Sequence, residues 1–437
     1  MQVSVETTTG LERRITVGIP ASEVDLEVNK RLQQASRTVK INGFRKGKVP
    51  LKVVKQRYGE GVRQEVLGDA INRSFYDAIR QESLRPAGSP HIEPKRVEEG
   101  EDIEYVATFE VYPKVELADL SGLTFTKLEA EIGEGDIDKM VENLRKSQGT
   151  WQDSEAAAEE GDRVKIDYFG KRDGEPFEGG SAEGHWLVLG SKSMIPGFED
   201  GLVGTSAGDS LTLDLVFPED YHVESLRSAA VQFELSVQSV QKQLLPEVDE
   251  TFFEKFGVAE GGLEKFRAEV LSNMEREKRK VLRARLKEQV MDALLSAHQV
   301  DLPKALVDGE IQVLRNQAVE QYGAIADKID VRSLLPDDMF REQAQRRTAL
   351  GLIISEIVTQ ESLKADPERM NSIIVENAST YENPEEVVNY YYQNRQLLAN
   401  VEAAALEDQV VDKLLEKATI EVKQASYEEV INQSSDA

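Results

Sequence analysis

The sequence predicts a multidomain α+β chain: a small α+β domain first, a mostly-β domain in the middle and an all-α region last. Three observations predict it. Residues 1–112 mix alternating, strand-like runs with helical ones; residues 150–245 are glycine-rich with period-two alternation; and after Pro246 the pattern is helical nearly to the end. A chain of 437 residues is too long for a single hydrophobic core. The divisions expected are 1–112, a linker over 113–149, then 150–245 and 246–437.

Residues 2–8 and 12–19 alternate apolar and polar around Gly10, which reads as a β-hairpin. Ser22, with Asp25 three residues on, is placed to cap a helix running to about Val39, with Val24, Leu26, Val28 and Leu32 among its apolar residues. A short helix from Pro50 and a longer one over roughly Glu60 to Ser83 follow, then strands over 91–97 and 103–112. The acidic stretch 113–148 carries Gly122, Gly133 and Gly135 and reads partly as linker, with a short helix over Gly135 to Ser147. In the middle domain, Val164–Tyr168, Leu211–Leu215 and Ala230–Val240 alternate as half-buried strands should. Helices are expected over 247–256, 264–297, 303–322, 337–362, 367–379, 384–392 and 394–417. The second would be about 50 Å long at 1.5 Å per residue. It is apolar at Phe266, Val270 and Met274 and again at Leu282, Leu286 and Val290, but polar all round from Glu275 to Lys280. Two readings follow: an arm that bridges solvent between two packing sites, or a long helix edging an ordinary all-α core.

Composition narrows the function. There are no cysteines, which removes disulfides, thiolate metal sites and a thiol nucleophile, and suits the cytosol. His91, His185, His222 and His298 lie far apart, without metal-ligand spacing, so neither a metal nor another cofactor is expected. The N-terminus lacks the basic and apolar regions of a signal peptide, and the longest apolar run, near Leu350 to Val358, is too short to span a bilayer, so no membrane partner is expected. The formal charge is −27, unevenly spread. Residues 1–112 hold 18 basic and 17 acidic groups, whereas 150–245 hold 7 and 18, and 246–437 hold 23 and 37. Only the first segment suits a phosphate backbone, so any RNA contact should be local and salt-sensitive.

That contact has an evident place. Between Val28 and Gly59 stand ten Lys or Arg and no Asp or Glu. Inside this stretch Gly43 and Gly47 bracket Phe44, Arg45 and Lys46. An aromatic ring and two cations on a tight loop suit a partner surface, since a ring held in water costs free energy that only a partner offsets. The residues alone also allow an ordinary solvated helix face and a common glycine turn. Gly43-Phe44-Arg45-x-Gly47-x-x-Pro50 resembles the ribosome-docking loop of the trigger factor family of bacterial chaperones. The resemblance implies that Phe44, Arg45 and Lys46 contact a ribosomal protein at the exit tunnel and adjoining ribosomal RNA. A phosphate-binding P-loop is excluded by the spacing and by Val49 after Lys48.

The middle domain carries a second pattern. Gly161-Asp162-x-Val164, Tyr168-x-Gly170, Asp173-Gly174-x-x-Phe177-Glu178, Met194-Ile195-Pro196-Gly197-Phe198-Glu199-x-Gly201 and Pro218-x-x-Tyr221 resemble prolyl isomerases of the FK506-binding-protein (FKBP) type. On pattern alone the apolar residues read first as the core of a small β domain. The resemblance implies that Tyr168, Phe177, Glu178, Met194, Ile195, Phe198, Tyr221 and Phe233 line a substrate pocket. His185 stands where drug-binding relatives have an aromatic wall, and the eleven residues between Tyr221 and Phe233 lack a proline-rich flap. An open, peptide-adapted pocket without tight macrolide binding is therefore expected.

The family carries such a domain in its middle, so two separate motifs point the same way. The resemblance implies a cytoplasmic, ATP-independent, ribosome-associated chaperone with client-binding C-terminal arms. Its partners would be the ribosome and nascent or unfolded polypeptides, with room for a weak homodimer off the ribosome. A stand-alone prolyl isomerase and an RNA-binding regulator are the alternatives the sequence leaves open.

Overall fold

The computed structural model describes residues 2–432 apart from 43, 45, 46, 121, 222, 323–334, 380 and 382, so Arg45 and Lys46 lie outside the described residues. The chain divides into two compact units, each built from two stretches: residues 1–127 with 285–421, and residues 128–284 with 422–437.

The first unit opens with four antiparallel strands, β1 (Gln2–Thr7), β2 (Glu12–Ile19), β3 (His91–Arg96) and β4 (Ile103–Glu110), in the order β1-β2-β4-β3. Opposite residues set the register: Ile15 faces Ala107, Val17 faces Tyr105 and Ile19 faces Ile103. All six are buried, because period-two alternation puts them on one face, which α1 (Ala21–Thr38) and α2 (Leu51–Gln81) cover. Tyr105 is enclosed there; its hydroxyl meets Ser74 Oγ at 2.9 Å, and burial pushes the phenol pKa up. Two local expectations are corrected. Ser22 does not cap α1: Pro20 occupies the cap, and Asp102 Oδ1 accepts the Ala21 N–H at 2.8 Å, an acceptor supplied from 81 residues away. The two helices expected around residue 59 are one, because Val54 and Val66 both reach the core and packing outweighs the cost of Gly59 and Gly61.

The rest of this unit is helical: α6 (Lys304–Tyr322), α7 (Asp337–Gln360), α8 (Pro367–Ala378), α9 (Pro384–Gln393) and α10 (Arg395–Lys417), joined by the C-terminal part of α5 (Gly262–Ala297). Val290 and Leu294, Ile353 and Ile357, and Val410 and Val411 share a core with Val115 and Phe125. Residues 113–149, expected as a linker, thus take part in packing, and they include strand β5 (Thr124–Glu129) and helix α3 (Glu134–Ser147). Strand β5 pairs with β11 (Thr419–Gln424), neither of which was anticipated.

The second unit contains α3, a five-stranded sheet and a phenylalanine-rich helical core. The strands are β6 (Thr150–Ser154), β7 (Arg163–Arg172), β8 (Glu175–Val188), β9 (Ser210–Val216) and β10 (Ala230–Leu244), ordered β6-β10-β7-β8 with β9 beside β10. Ile137 and Val141 of α3, Phe252 and Phe253 of α4 (Glu250–Glu254), and Phe266, Val270 and Met274 of α5 form the helical core. Tyr427 of α11 (Tyr427–Asn432) closes it. Arg267 joins Glu134 and Asp138 of α3 at 2.5 Å each. No helix among the described residues is long and apolar enough to cross a membrane.

The continuous α2 makes a prediction. A Cβ at Gly61 meets nothing within 4 Å, so Gly61→Ala should stabilise the helix by about 0.5–1 kcal/mol. Slower amide exchange along α2 and a raised urea midpoint are expected; a lowered midpoint contradicts a helix running through residue 61.

Candidate functional site

Strand β10 sets the middle domain's geometry, because it pairs with three neighbours. Phe233 lies opposite Gly170 of β7 and Leu213 of β9, and points into the core, 4% exposed. Phe198 arrives from the turn after β8 and is fully buried, its ring 5.3 Å from that of Phe233 in an edge-on arrangement. Tyr168 meets both rings edge-on at 5.8 and 6.1 Å. Phe177, Phe217 and Tyr221 continue the set: Phe177 stands 6.0 Å from Phe233 and 5.9 Å from Phe217, and Phe217 stands 4.5 Å from Tyr221.

These rings enclose a cavity of about 400 Å³. All eight residues expected around a pocket border it: Tyr168, Phe177, Glu178, Met194, Ile195, Phe198, Tyr221 and Phe233. Phe198 and Phe233 also belong to the domain core, with the others packed half-buried against it or, for Glu178, exposed at the rim. Core and cavity wall thus overlap: Phe198 and Phe233 belong to both. Phe177 lies within β8. His185 packs edge-on to Tyr168 at 5.9 Å but does not border the cavity. Phe217, Pro218, Val223 and Leu226 also border it and were not among the expected lining residues, although Phe217 continues the alternation of Leu211, Leu213 and Leu215. Arg172 and Arg227 brace this segment by donating to the carbonyls of Ser225 and Tyr221.

The cavity depends on two glycines. A Cβ at Gly170 falls 2.7 Å from Phe233 and 2.8 Å from Phe177, and one at Gly180 falls 2.8 Å from the Phe177 ring. Ring and backbone approach more closely than any side chain permits. The chemistry available is apolar enclosure with a few polar side chains, Tyr168, Glu178, Ser193 and Tyr221, among the bordering residues.

The basic loop lies in the other unit. Ile41 and Val49, each 6% exposed, anchor its two ends in the N-terminal core. Between them Phe44 is 39% exposed, with its N–H donating to the Ile41 carbonyl at 3.1 Å. Gly47 turns the chain at φ +78°, a conformation that favours glycine.

Sheet, cavity and glycine pattern define a class: a multidomain chain bearing a peptidyl-prolyl isomerase domain of the FKBP type. The family model for FKBP-type peptidyl-prolyl cis-trans isomerase matches residues 154–238. Models for bacterial trigger factor protein and for its C-terminus match residues 1–144 and 262–416. The trigger factor of Teredinibacter turnerae is 62% identical over 431 residues, covering 99% of this chain and 98% of that one. Those of Saccharophagus degradans and Cellvibrio japonicus are 61% and 57% identical, each over 99% of this chain and over 98% and 99% of their own lengths. A solved chain, from work on promiscuous substrate recognition by the trigger factor chaperone, matches 95% of this chain and 99% of its own at a TM-score of 0.47 and 20% identity. The chain belongs to the trigger factor family. It is a chaperone with an N-terminal domain, an FKBP-type prolyl isomerase domain and a C-terminal domain.

Gly170→Ala should force the Phe177 and Phe233 rings apart. Overpacking of this kind costs about 1–3 kcal/mol, so the isomerase domain's melting temperature should fall and turnover of an X–Pro peptide should drop about tenfold. Unchanged stability and turnover would show that the rings do not close on this backbone.

Proposed function

We propose that this chaperone docks on the ribosome through the loop at residues 41–50, shields emerging polypeptides with its helical region and isomerises their X–Pro bonds in the ring-lined cavity. Residues 1–112 serve as the ribosome-binding domain, 150–245 as the isomerase and 246–437 as the client-binding domain with its arms. Residues 113–149 join the first two. The cytoplasm is its place of action.

The observation that carries the docking is the contrast between the loop's anchored ends and its exposed ring. Ile41 and Val49 are buried while Phe44, between them, faces solvent. A loop fixed at both ends loses little conformational freedom on binding, and its ring gains a desolvated site. Arg37, Lys40, Lys48, Lys52 and Arg57 are exposed around it, which suits phosphates of ribosomal RNA beside a protein site for Phe44. Arg45 and Lys46 join this contact.

Isomerisation needs no proton transfer. An X–Pro bond favours trans by only ~0.5–1 kcal/mol, but the barrier is ~18–20 kcal/mol because amide resonance is lost on twisting. The twisted amide has less charge separation than the planar one, so an apolar enclosure favours it. Phe198, Phe233, Tyr168 and Phe177 hold the prolyl ring; Met194 and Ile195 flank it; Tyr221 donates to a substrate carbonyl. Glu178, at the open rim, meets the flanking peptide. Preferring the twisted state over either planar isomer is the catalysis.

The test is co-sedimentation with translating ribosomes of the wild type and of Phe44→Ala, Arg45→Ala, Lys46→Ala combined. Ribosome binding is expected to be lost, with peptide isomerisation unchanged, and wild-type binding should weaken steeply with salt. Binding that survives the triple change sinks the docking assignment. Competition by generic RNA would favour an RNA-binding regulator instead.

A further inference from the structure

Glu199 follows the cavity residue Phe198 and is only 7% exposed, a rare setting for a carboxylate. Its surroundings explain why it is tolerated. Oε1 accepts the N–H groups of Ser193 at 2.8 Å and Met194 at 3.2 Å, and the Ser191 hydroxyl at 3.2 Å. Oε2 accepts the Lys192 N–H at 3.0 Å. Lys192 has φ +56°, a left-handed conformation that turns successive N–H groups toward one point and makes an anion nest. Here the anion is the chain's own side chain.

The nest lies in the segment that borders the cavity. Ser193, Met194, Ile195 and Phe198 all line it, and the segment belongs to no strand. Strand ladders therefore do not hold it. We propose that Glu199 is a positioning residue for prolyl isomerisation: its buried carboxylate gathers the N–H groups of residues 192–194 and thereby fixes Met194 and Ile195 at the cavity wall. The proposal rests on the cavity being the substrate pocket. Glu199 does not touch substrate; it acts through the segment it holds.

Burial pushes this carboxyl's pKa up, but the hydrogen bonds from Lys192, Met194, Ser191 and Ser193 outweigh it, so the group stays ionised below the ordinary carboxylate range. A depressed folded value means that its contribution is present above the unfolded pKa and lost only as pH falls through the folded one. Activity near neutral pH should not respond to its titration.

The experiment uses the full chain. Glu199→Gln keeps size and shape but turns an NH₂ group toward the N–H donors. Expected are a fall in kcat/KM for an X–Pro peptide of about tenfold or more, carried mainly by kcat, as for a misplaced reaction wall. Amide exchange at 192–194 should quicken, with the unfolding midpoint nearly unchanged. Unchanged kcat/KM overturns the proposal, and so does a fall that only tracks loss of folded protein. If Glu199→Gln does not fold, Ser191→Ala decides: it removes one donor and should lower kcat/KM a few-fold, and no change overturns the proposal. Phe198→Ala separates the underlying reading: full activity there shows that the cavity is not the pocket, and the Glu199 role falls with it.

Discussion

The isomerase domain uses the same aromatic rings as core and as cavity wall, and its other features follow from that constraint. Phe198 and Phe233 touch edge-on at 5.3 Å, inside the core, yet their surfaces bound the cavity. A domain of this size has too little apolar volume to build the two separately. Close packing lends the cavity a rigidity it could not have if it were lined by loops alone. It also explains the glycines at 170 and 180, where backbone must yield space to a ring. The side of the cavity without strand partners is the segment around Met194, whose N–H groups converge on the Glu199 carboxylate.

The loop proposed for docking answers a different demand. Its ring must be available, so the core supports only its ends, through Ile41 and Val49. The exposed ring is a standing cost in water, acceptable because it is small beside the burial achieved by the sheet and helices beneath. Charge confines the interaction. The chain carries −27 overall, but Val28 to Gly59 contains no acidic residue, so attraction to a polyanion acts on one patch and repulsion acts elsewhere.

Much of this was legible in the sequence, for identifiable reasons. The helices after residue 246 have strong periodicity, and their bounds were readable to within a few residues. The cavity residues were legible through the resemblance of their motifs to FKBP-type isomerases, since pattern alone reads the same residues as core. Strands β5 and β11 were not: TFTKLE and TIEVKQ are short, and each becomes a strand through a partner almost three hundred residues away. The cap of α1 failed for the same reason, since Asp102 replaces a local side chain. Helix α2 was split because glycine propensity is visible locally and sheet packing is not. Glu199 stood in the motif, but a carboxylate's burial depends on where three backbone N–H groups converge, which spacing does not encode. Leu226 borders the cavity from a segment braced by Arg172 and Arg227, contacts that no periodicity announces.

A catalyst that works on clients of many sequences cannot rely on tight ground-state binding. Strong binding of both planar isomers would slow release without lowering the barrier. If the cavity is the proposed substrate pocket, selective shape resolves this, with fixed rings favouring a twisted amide over either planar isomer. Rigidity is then the quantity that matters, because walls that relax around the planar substrate would bind it as well as the twisted form. Rotamers locked by the core supply that rigidity on one side, and the carboxylate-held segment supplies it on the other. On the proposed reading, catalysis and breadth of clients are compatible because the precision lies in the protein's own packing, and little of it has to be provided by the client.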